Sequence, residues 1–526
     1  MSRPGFVLEV DGSTPALLIP EGAGCRLEKL PIGSKVAYPA ESLPSLPDLN
    51  EAIGQAFALP LDTKPLTALL TADTKVVITF TDNTRPVPAA SRPDVRTRII
   101  EQLLELAAGA GVDRVSLVAA NGLARRMNSD ELLTLLGERV HRSFHPQGAL
   151  TSHDAEAPAD SFVDVGSAGS PVLLNREVAE ADLVINVVVA TSPSHAGWHQ
   201  LATGTTAAST AWPLVGGADA PSSLAGSTAE VPGIDAVGKA IAGATNVFQV
   251  EVVLDQNLYP PKLAFYGRRE WEWKLRDQAS LMGLRQALTM APQRVRRMFF
   301  ENAHAPYGVL AVHAGAVDSV AAQTRELLAR QQNVKLDGQS DVVIAGPASA
   351  TEHNANAVMN PLIAAWDTLA RTFGSHTGTP AVREGGAMIL FHPLMPAFNS
   401  RFHSASSDFF NSVLPRTVDA SRIGEEFEQK FLADPWYTNL YRNQSAFHGS
   451  HPLQLWNAIA PAVRHCGDII WVGADRHTAE RLGFRAATTL ADALEIASAT
   501  VGRTPSITYL HTPPALVADV DAGGGR

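Results

Sequence analysis

Lys75-Val-Val-Ile-Thr-Phe-Thr-Asp-Asn-Thr-Arg-Pro86 is an apolar run that ends in two charged residues and stops at a proline. Its β-branched and aromatic content predicts a buried strand. Such a strand, ending in a carboxylate and a guanidinium, puts charge at the edge where open α/β sheets bind ligands. Asp82 and Arg85 are therefore candidate site residues. The competing reading makes Asp82 the cap of a helix starting near Pro93 and gives Arg85 a surface acid as partner.

Working outward, Asp94 to Ala110 has helical spacing with Ile99, Leu103 and Leu106 on one face, ends in glycines, and is followed by the strand Val115–Ala119. Strand, helix and strand with tight connections make a βαβ unit and hence a parallel sheet. Upstream, residues 1–40 read as short strands broken by Gly and Pro, and Asp48 to Phe57 as a helix. Downstream come the helix Ser129–Leu136, the strand Ala181–Ala190, a helix between Gly233 and Gly243, and the strand Phe248–Leu254. The pattern restarts at Asp341–Ala345 and continues with the helix Leu362–Phe373 and the strand Gly386–Phe391. It closes with Asp468–Val472, the helix Leu490–Val501 and Ser506–Leu510.

The expected fold class is α/β, with two doubly wound, mostly parallel-sheet domains and a cleft between them. The predicted domains are residues 1–315 and 336–515, with a flexible tail at 516–526. From about 266 to 307 an insertion interleaves Arg268, Arg269, Lys274, Arg276 and Arg285 with Trp271 and Trp273. It predicts either a helical pair covering the domain junction or a contact for phosphates or an acidic partner.

Composition narrows the function classes. A formal charge of −11, spread without blocks, repels a phosphate backbone, so nucleic acid is not an expected partner. Cys25 and Cys466 lie far apart with no Cys-x-x-Cys spacing, which indicates neither a disulfide framework nor a thiolate zinc site. No segment reaches the roughly 18 uncharged apolar residues of a membrane span, and the amino terminus lacks a signal-peptide run. A cytoplasmic protein is the expectation, with a homo-oligomer possible; the donor fork of Arg85, not the composition, suits a small-molecule carboxylate as partner.

The segment order, with Asp82-Asn-Thr-Arg-Pro86, His153-Asp154, Gly169 to Arg176, Glu180-Ala-Asp182, Phe248 to Asp255 and Arg383-Glu-Gly-Gly386, resembles the nickel-pincer lactate racemase family. The resemblance implies a two-domain α/β enzyme. It also implies a racemase or epimerase of 2-hydroxy acids, working through a nickel pincer nucleotide held in the cleft. Departures accompany it. Where the family has Thr-Gly-Thr-His-Arg, this chain has Asn121-Gly-Leu-Ala-Arg125, so Ala124 replaces an acid/base histidine. In Pro193-Ser-His-Ala-Gly-Trp-His-Gln-Leu-Ala-Thr203, Pro193 falls at a second histidine position and Thr203 at the lysine that tethers the cofactor.

Arg85 and Arg125 remain as cations for a carboxylate, with Asp82 orienting the first. His195 and His199, four residues apart, would share a helix face. They can serve as acid and base, His199 can serve as a metal ligand, or both can be structural. Three functions follow: a divergent racemase-like isomerase, a cofactor-free enzyme using histidine acid/base groups, or an inactive carboxylate-binding protein.

Overall fold

The computed structural model describes residues 2–22, 24–84, 87–167, 170–216, 231, 233–292, 295, 298, 304–347 and 360–521. Arg85 thus lies outside the described residues. Among those residues no helix is long and apolar enough to cross a membrane.

The opening stretch forms the strand Val76–Thr81, the centre of a six-stranded sheet. In spatial order that sheet runs Val309–Gly315, Asn246–Leu254, Leu183–Ala190, Val76–Thr81, Val115–Ala120 and Leu150–Ser152. Only the pairing of Asn246–Leu254 with Val309–Gly315 is antiparallel. Helices cover both faces, so every residue of Leu183–Ala190 is buried. On one face Val76, Ile78, Phe80, Leu117 and Ile185 meet Ile53, Ile99, Leu103 and Leu136 from the helices Leu49–Ala58, Val95–Gly109 and Ser129–Phe144. On the other, Val77, Val118 and Val184 meet Leu201, Leu214, Val237 and Ile241. The period of two along each strand divides the residues between these layers. The helix beginning at Ser129 runs further than its apolar spacing predicts, with a kink at Gly137, φ 78°.

A seven-stranded sheet builds the second layer system, in the order Phe6–Glu9, Lys35–Tyr38, Ile507–Leu510, Ser340–Ala345, Val382–Phe391, Asp468–Val472 and Arg485–Ala487. Two expectations change here. The first forty residues, expected with the amino-terminal domain, add Lys35–Tyr38 parallel to Ile507–Leu510 in the second sheet. Local strand propensity does not specify which distant edge a strand joins, and burial of Val36, Ala37 and Tyr38 decides it. The expected tail is also partly structured, since Val517–Val520 pairs with Asn333–Leu336 and His376–Gly378 in a small parallel sheet.

From the insertion, Glu270 meets the carboxyl ends of Lys35–Tyr38 and Ile507–Leu510 in the second sheet. Buried Glu270 accepts from Tyr38 Oη at 2.9 Å and Leu18 N at 2.9 Å, and pairs with His511 Nε2 at 2.7 Å.

Arg96 fixes the end of the central strand. It is wholly buried on the helix Val95–Gly109 and donates to the carbonyl oxygens of Thr81 and Asp82, each at 2.6 Å. Its remaining donors make a fork onto Asp94, with Nε to Oδ1 and Nη2 to Oδ2 both 2.8 Å. Arg96→Ala would leave the Asp94 carboxylate and two carbonyls without these donors. The expected loss, read by urea denaturation, is about 3–5 kcal/mol, the usual cost of breaking a buried pair from one side. A loss below 1 kcal/mol would remove Arg96 from this role.

Candidate functional site

Asp94, not Asp82, caps the following helix, accepting from Arg96 N at 2.9 Å. Asp82 is freed from that job and is buried, its Oδ2 accepting from Thr84 Oγ1 at 2.6 Å. Burial pushes its carboxyl above the usual range, against the pull of the Thr84 bonds and of Arg125 and Arg96.

Asp82 lines a cavity of about 150 Å³ at the carboxyl end of Val76–Thr81. Its wall also includes Thr81, Ala124, His195, His199, Gln200 and Thr203. Gln454 reaches it from the helix His451–His465, which packs on the seven-stranded sheet, so both sheet systems contribute to the wall.

The two histidines follow the neighbouring strand Leu183–Ala190. His195 ends a short 3-10 turn and His199 begins the helix His199–Gly204, so they are not on one continuous helix, yet their ring centroids are 5.5 Å apart. His195 Nδ1 lies 3.0 Å from Thr191 Oγ1. His199 Nε2 is shielded from water and has no hydrogen-bond partner among the described residues. Burial, then the neighbouring His195, pushes the His199 imidazole down to about 3.

A buried polar row holds this pair. Thr81 Oγ1 donates to Gln200 Oε1 at 2.5 Å, Gln200 Nε2 to Asn186 Oδ1 at 2.8 Å, and Asn186 Nδ2 to Gln249 Oε1 at 2.9 Å. Gln249 Nε2 donates to Glu251 Oε1 at 2.7 Å, and the same oxygen accepts from Gly197 N at 2.6 Å. The two ends of the row thus grip the chain on both sides of His199. Arg325 adds weaker contacts to the carbonyls of Pro193 and Ala196, both at 3.4 Å. Gly197 has φ 84°, which favours glycine, and Gly122, φ 46°, sits where a Cβ would be 2.1 Å from the Thr203 carbonyl oxygen.

Arg125 is placed differently from its expected use. It does not line the cavity; Nη1 and Nη2 both donate to Glu131, the first at 2.9 Å, while the guanidinium lies 5.0 Å from the Phe402 ring centre. Glu131 is itself fixed by a capping box with Asn128. Thr203 donates its hydroxyl to the His199 carbonyl oxygen at 2.8 Å. Among the described residues, no three His, Cys, Asp or Glu side chains gather as a metal site.

The residues missed in the sequence are Thr81, Gln200, Gln454 and the row Asn186, Gln249 and Glu251. Polar residues interrupting strands as apolar as Leu183–Ala190 and Asn246–Leu254 are the signal that would have found the row.

The family model described as Lactate racemase N-terminal domain matches residues 26–199. The lactate racemase apoprotein from Thermoanaerobacterium thermosaccharolyticum superposes with a TM-score of 0.61 at 16% identity, over 96% of this chain and 99% of that one. A protein from Thermotoga maritima gives a TM-score of 0.47 at 14% identity, over 90% and 97%. No curated protein matches the sequence.

Two predictions follow from the buried groups. Glu251→Leu leaves Gly197 N without its acceptor and Gln249 Nε2 with only the Gly197 carbonyl oxygen at 3.2 Å, at an expected cost of about 1–3 kcal/mol for the unsatisfied amide. Glu251→Gln, which keeps an acceptor, should lose much less in urea titrations and leave the His195 ring resonances near their wild-type positions. Equal loss in both variants would argue against the hydrogen bonds.

The second concerns pH. His153, with Nε2 2.9 Å from the Thr206 carbonyl oxygen, is held by burial down to about 4, and His199 to about 3. The unfolded chain takes up these protons near 6.5, so stability should fall as pH drops from about 6.5 toward 4. Melting temperatures recorded across that window should fall less steeply in His199→Gln than in the wild type; parallel slopes would contradict the assignment.

Proposed function

We propose that this lactate racemase-like chain is an isomerase of the racemase or epimerase type. Its substrate is a small 2-hydroxy acid or related carboxylate bound in the cleft between the domains. The observation that carries the reading is that Asp82 and the His195–His199 pair, delivered by neighbouring parallel strands, wall one cavity. At about 150 Å³ it falls below the ~300–1,000 Å³ of drug-sized sites, which supports a small ligand.

Inversion at an α-carbon needs a proton removed from one face and a proton supplied to the other. His195 is the acid/base group on one side, and Thr191 orients its ring. Asp82, pushed by burial toward its neutral form, is the proton carrier on the other. Arg85 takes the substrate carboxylate through its planar fork. His199, neutral throughout the physiological range, contributes a buried imidazole edge and not a charge.

The nickel pincer nucleotide that the family resemblance implies does not fit these residues. Thr203 offers a hydroxyl committed to a helix carbonyl where a tether needs an amine, and the described residues supply no cluster of ligands. No step is assigned to that cofactor. A second reading, carboxylate binding without turnover, is supported by Ala124, which lines the cavity and cannot move a proton.

Deuterium uptake at the α-carbon and inversion, followed by proton NMR and chiral chromatography over a panel of 2-hydroxy acids with the chelator-treated protein, test the proposal. His195→Ala should bind ligand normally and lower exchange by about 10²–10⁴. Arg85→Ala should abolish ligand binding in calorimetry. Binding without exchange across the panel would replace the isomerase with the second reading, and binding unaffected by Arg85→Ala would overturn the site.

A further inference from the structure

Among the described residues the cavity wall holds three side-chain amides, Asn121, Gln200 and Gln454. Two of them are engaged inside the protein at both ends. Asn121 Oδ1 accepts from Ser152 Oγ at 2.8 Å, and its Nδ2 donates to the His153 carbonyl oxygen at 3.1 Å. Gln200 accepts from Thr81 and donates to Asn186. The wall hydroxyls of Thr84 and Thr203 are likewise turned to Asp82 and to the His199 carbonyl oxygen.

Gln454 differs. It is only 5% exposed, and its Nε2 donates back along its own helix to Ser450 Oγ at 3.0 Å. Its Oε1 has no hydrogen-bond partner among the described residues. The direction of this amide is set by a row that starts at Glu156, in the loop after the strand Leu150–Ser152. The Glu156 carboxylate offers only acceptors, so His448 Nε2, 2.9 Å from Glu156 Oε1, carries the imidazole proton. His448 Nδ1 is then an acceptor. It takes the Ser450 amide at 3.1 Å and lies 2.8 Å from Ser450 Oγ. With its own hydrogen given to that nitrogen, Ser450 Oγ accepts from Gln454 Nε2. His448 and Ser450 are both buried, which shields the row from water. The end of Gln454 left for the cavity is therefore its carbonyl oxygen. A buried carbonyl without a donor is costly, and a ligand that brings a hydrogen relieves that cost.

We infer that Gln454 selects the ligand by its α-hydroxyl. Oε1 accepts the hydroxyl hydrogen of a 2-hydroxy acid and disfavours the 2-oxo acid of the same size, whose oxygen brings no hydrogen and sets two acceptors against each other. Glu156, His448 and Ser450 are positioning residues that keep the amide from turning over. This inference rests on the reading of the cleft as a carboxylate site, and it specifies which carboxylates the cleft takes.

Calorimetric titration of the full chain with matched pairs, lactate against pyruvate and 2-hydroxybutyrate against 2-oxobutyrate, with propionate as the acid lacking either group, is the test. The wild type should bind each hydroxy acid about tenfold more tightly than its oxo partner. Gln454→Met, close in size and without the carbonyl, should weaken the hydroxy acids about tenfold and leave propionate unchanged. Ser450→Ala, which frees the amide to present Nε2, should shift the preference toward the oxo acids, a change that loss of packing alone would not produce. Equal affinity for both members of each pair in the wild type, or a parallel loss for every ligand in both variants, overturns the role of Gln454 and leaves the carboxylate site standing. Binding of none of these acids by the wild type overturns the reading of the cleft, and selection by Gln454 with it.

Discussion

The candidate site depends on a row of hydrogen bonds buried inside the first sheet. From Thr81 through Gln200, Asn186 and Gln249 to Glu251, each donor finds an acceptor in the next member, and the row ends on a carboxylate oxygen that also takes the Gly197 amide. In a low-dielectric interior such a row is favourable only when complete, because each unpaired member would carry its full desolvation penalty. The bonds of Glu251 Oε1 to the Gly197 amide and of Gln200 to Thr81 and Asn186 fix where the turn between His195 and His199 lies. They also fix the direction of every amide, since Glu251 Oε1 accepts at the far end.

The edge of the central strand is governed by the same demand. A strand buried on both faces delivers its last carbonyls into a place that water does not reach, and Arg96 satisfies two of them while its charge is met by Asp94. Asp82 then stands at the cavity without being used up as a helix cap. Its neutral tendency and the neutrality of His199 have one cause, removal from water, acting in opposite directions on an acid and a base.

The layers around the seven-stranded sheet close the arrangement. Tyr441 Oη donates to the Gly122 carbonyl oxygen at 2.8 Å and accepts from Ala155 N at 3.1 Å; His448 Nε2 lies 2.9 Å from Glu156 Oε1, and Arg442 Nε donates to Asp154 at 2.9 Å. These contacts grip the two loops that follow the strands Val115–Ala120 and Leu150–Ser152. They set Gln454 against the cavity. Glu270, from the insertion, binds the amino-terminal strand Lys35–Tyr38 to the loop after Ile507–Leu510.

The alternation of buried strands and amphipathic helices, the two large sheets, the strand end at Asp82 and the resemblance of residues 26–199 to the lactate racemase N-terminal domain were legible in the sequence, because each is written in local periodicity or in short motifs. Arg125 illustrates what was not. Its chemistry suits a carboxylate, and nothing local distinguishes a substrate from Glu131, six residues along, which takes the fork instead. The polar row was hidden for a related reason, since Asn186 and Gln249 are 63 residues apart and joined only by parallel pairing in register, while Gln200 reaches them from the helix His199–Gly204. The amino-terminal strands likewise carry no local mark of the distant sheet they complete. The sequence by itself determined which segments are strands and helices and which residues could carry charge. Tertiary structure alone decided which charges neutralise one another and which face the cavity, because pairing across the sheet and burial depend on neighbours brought from afar.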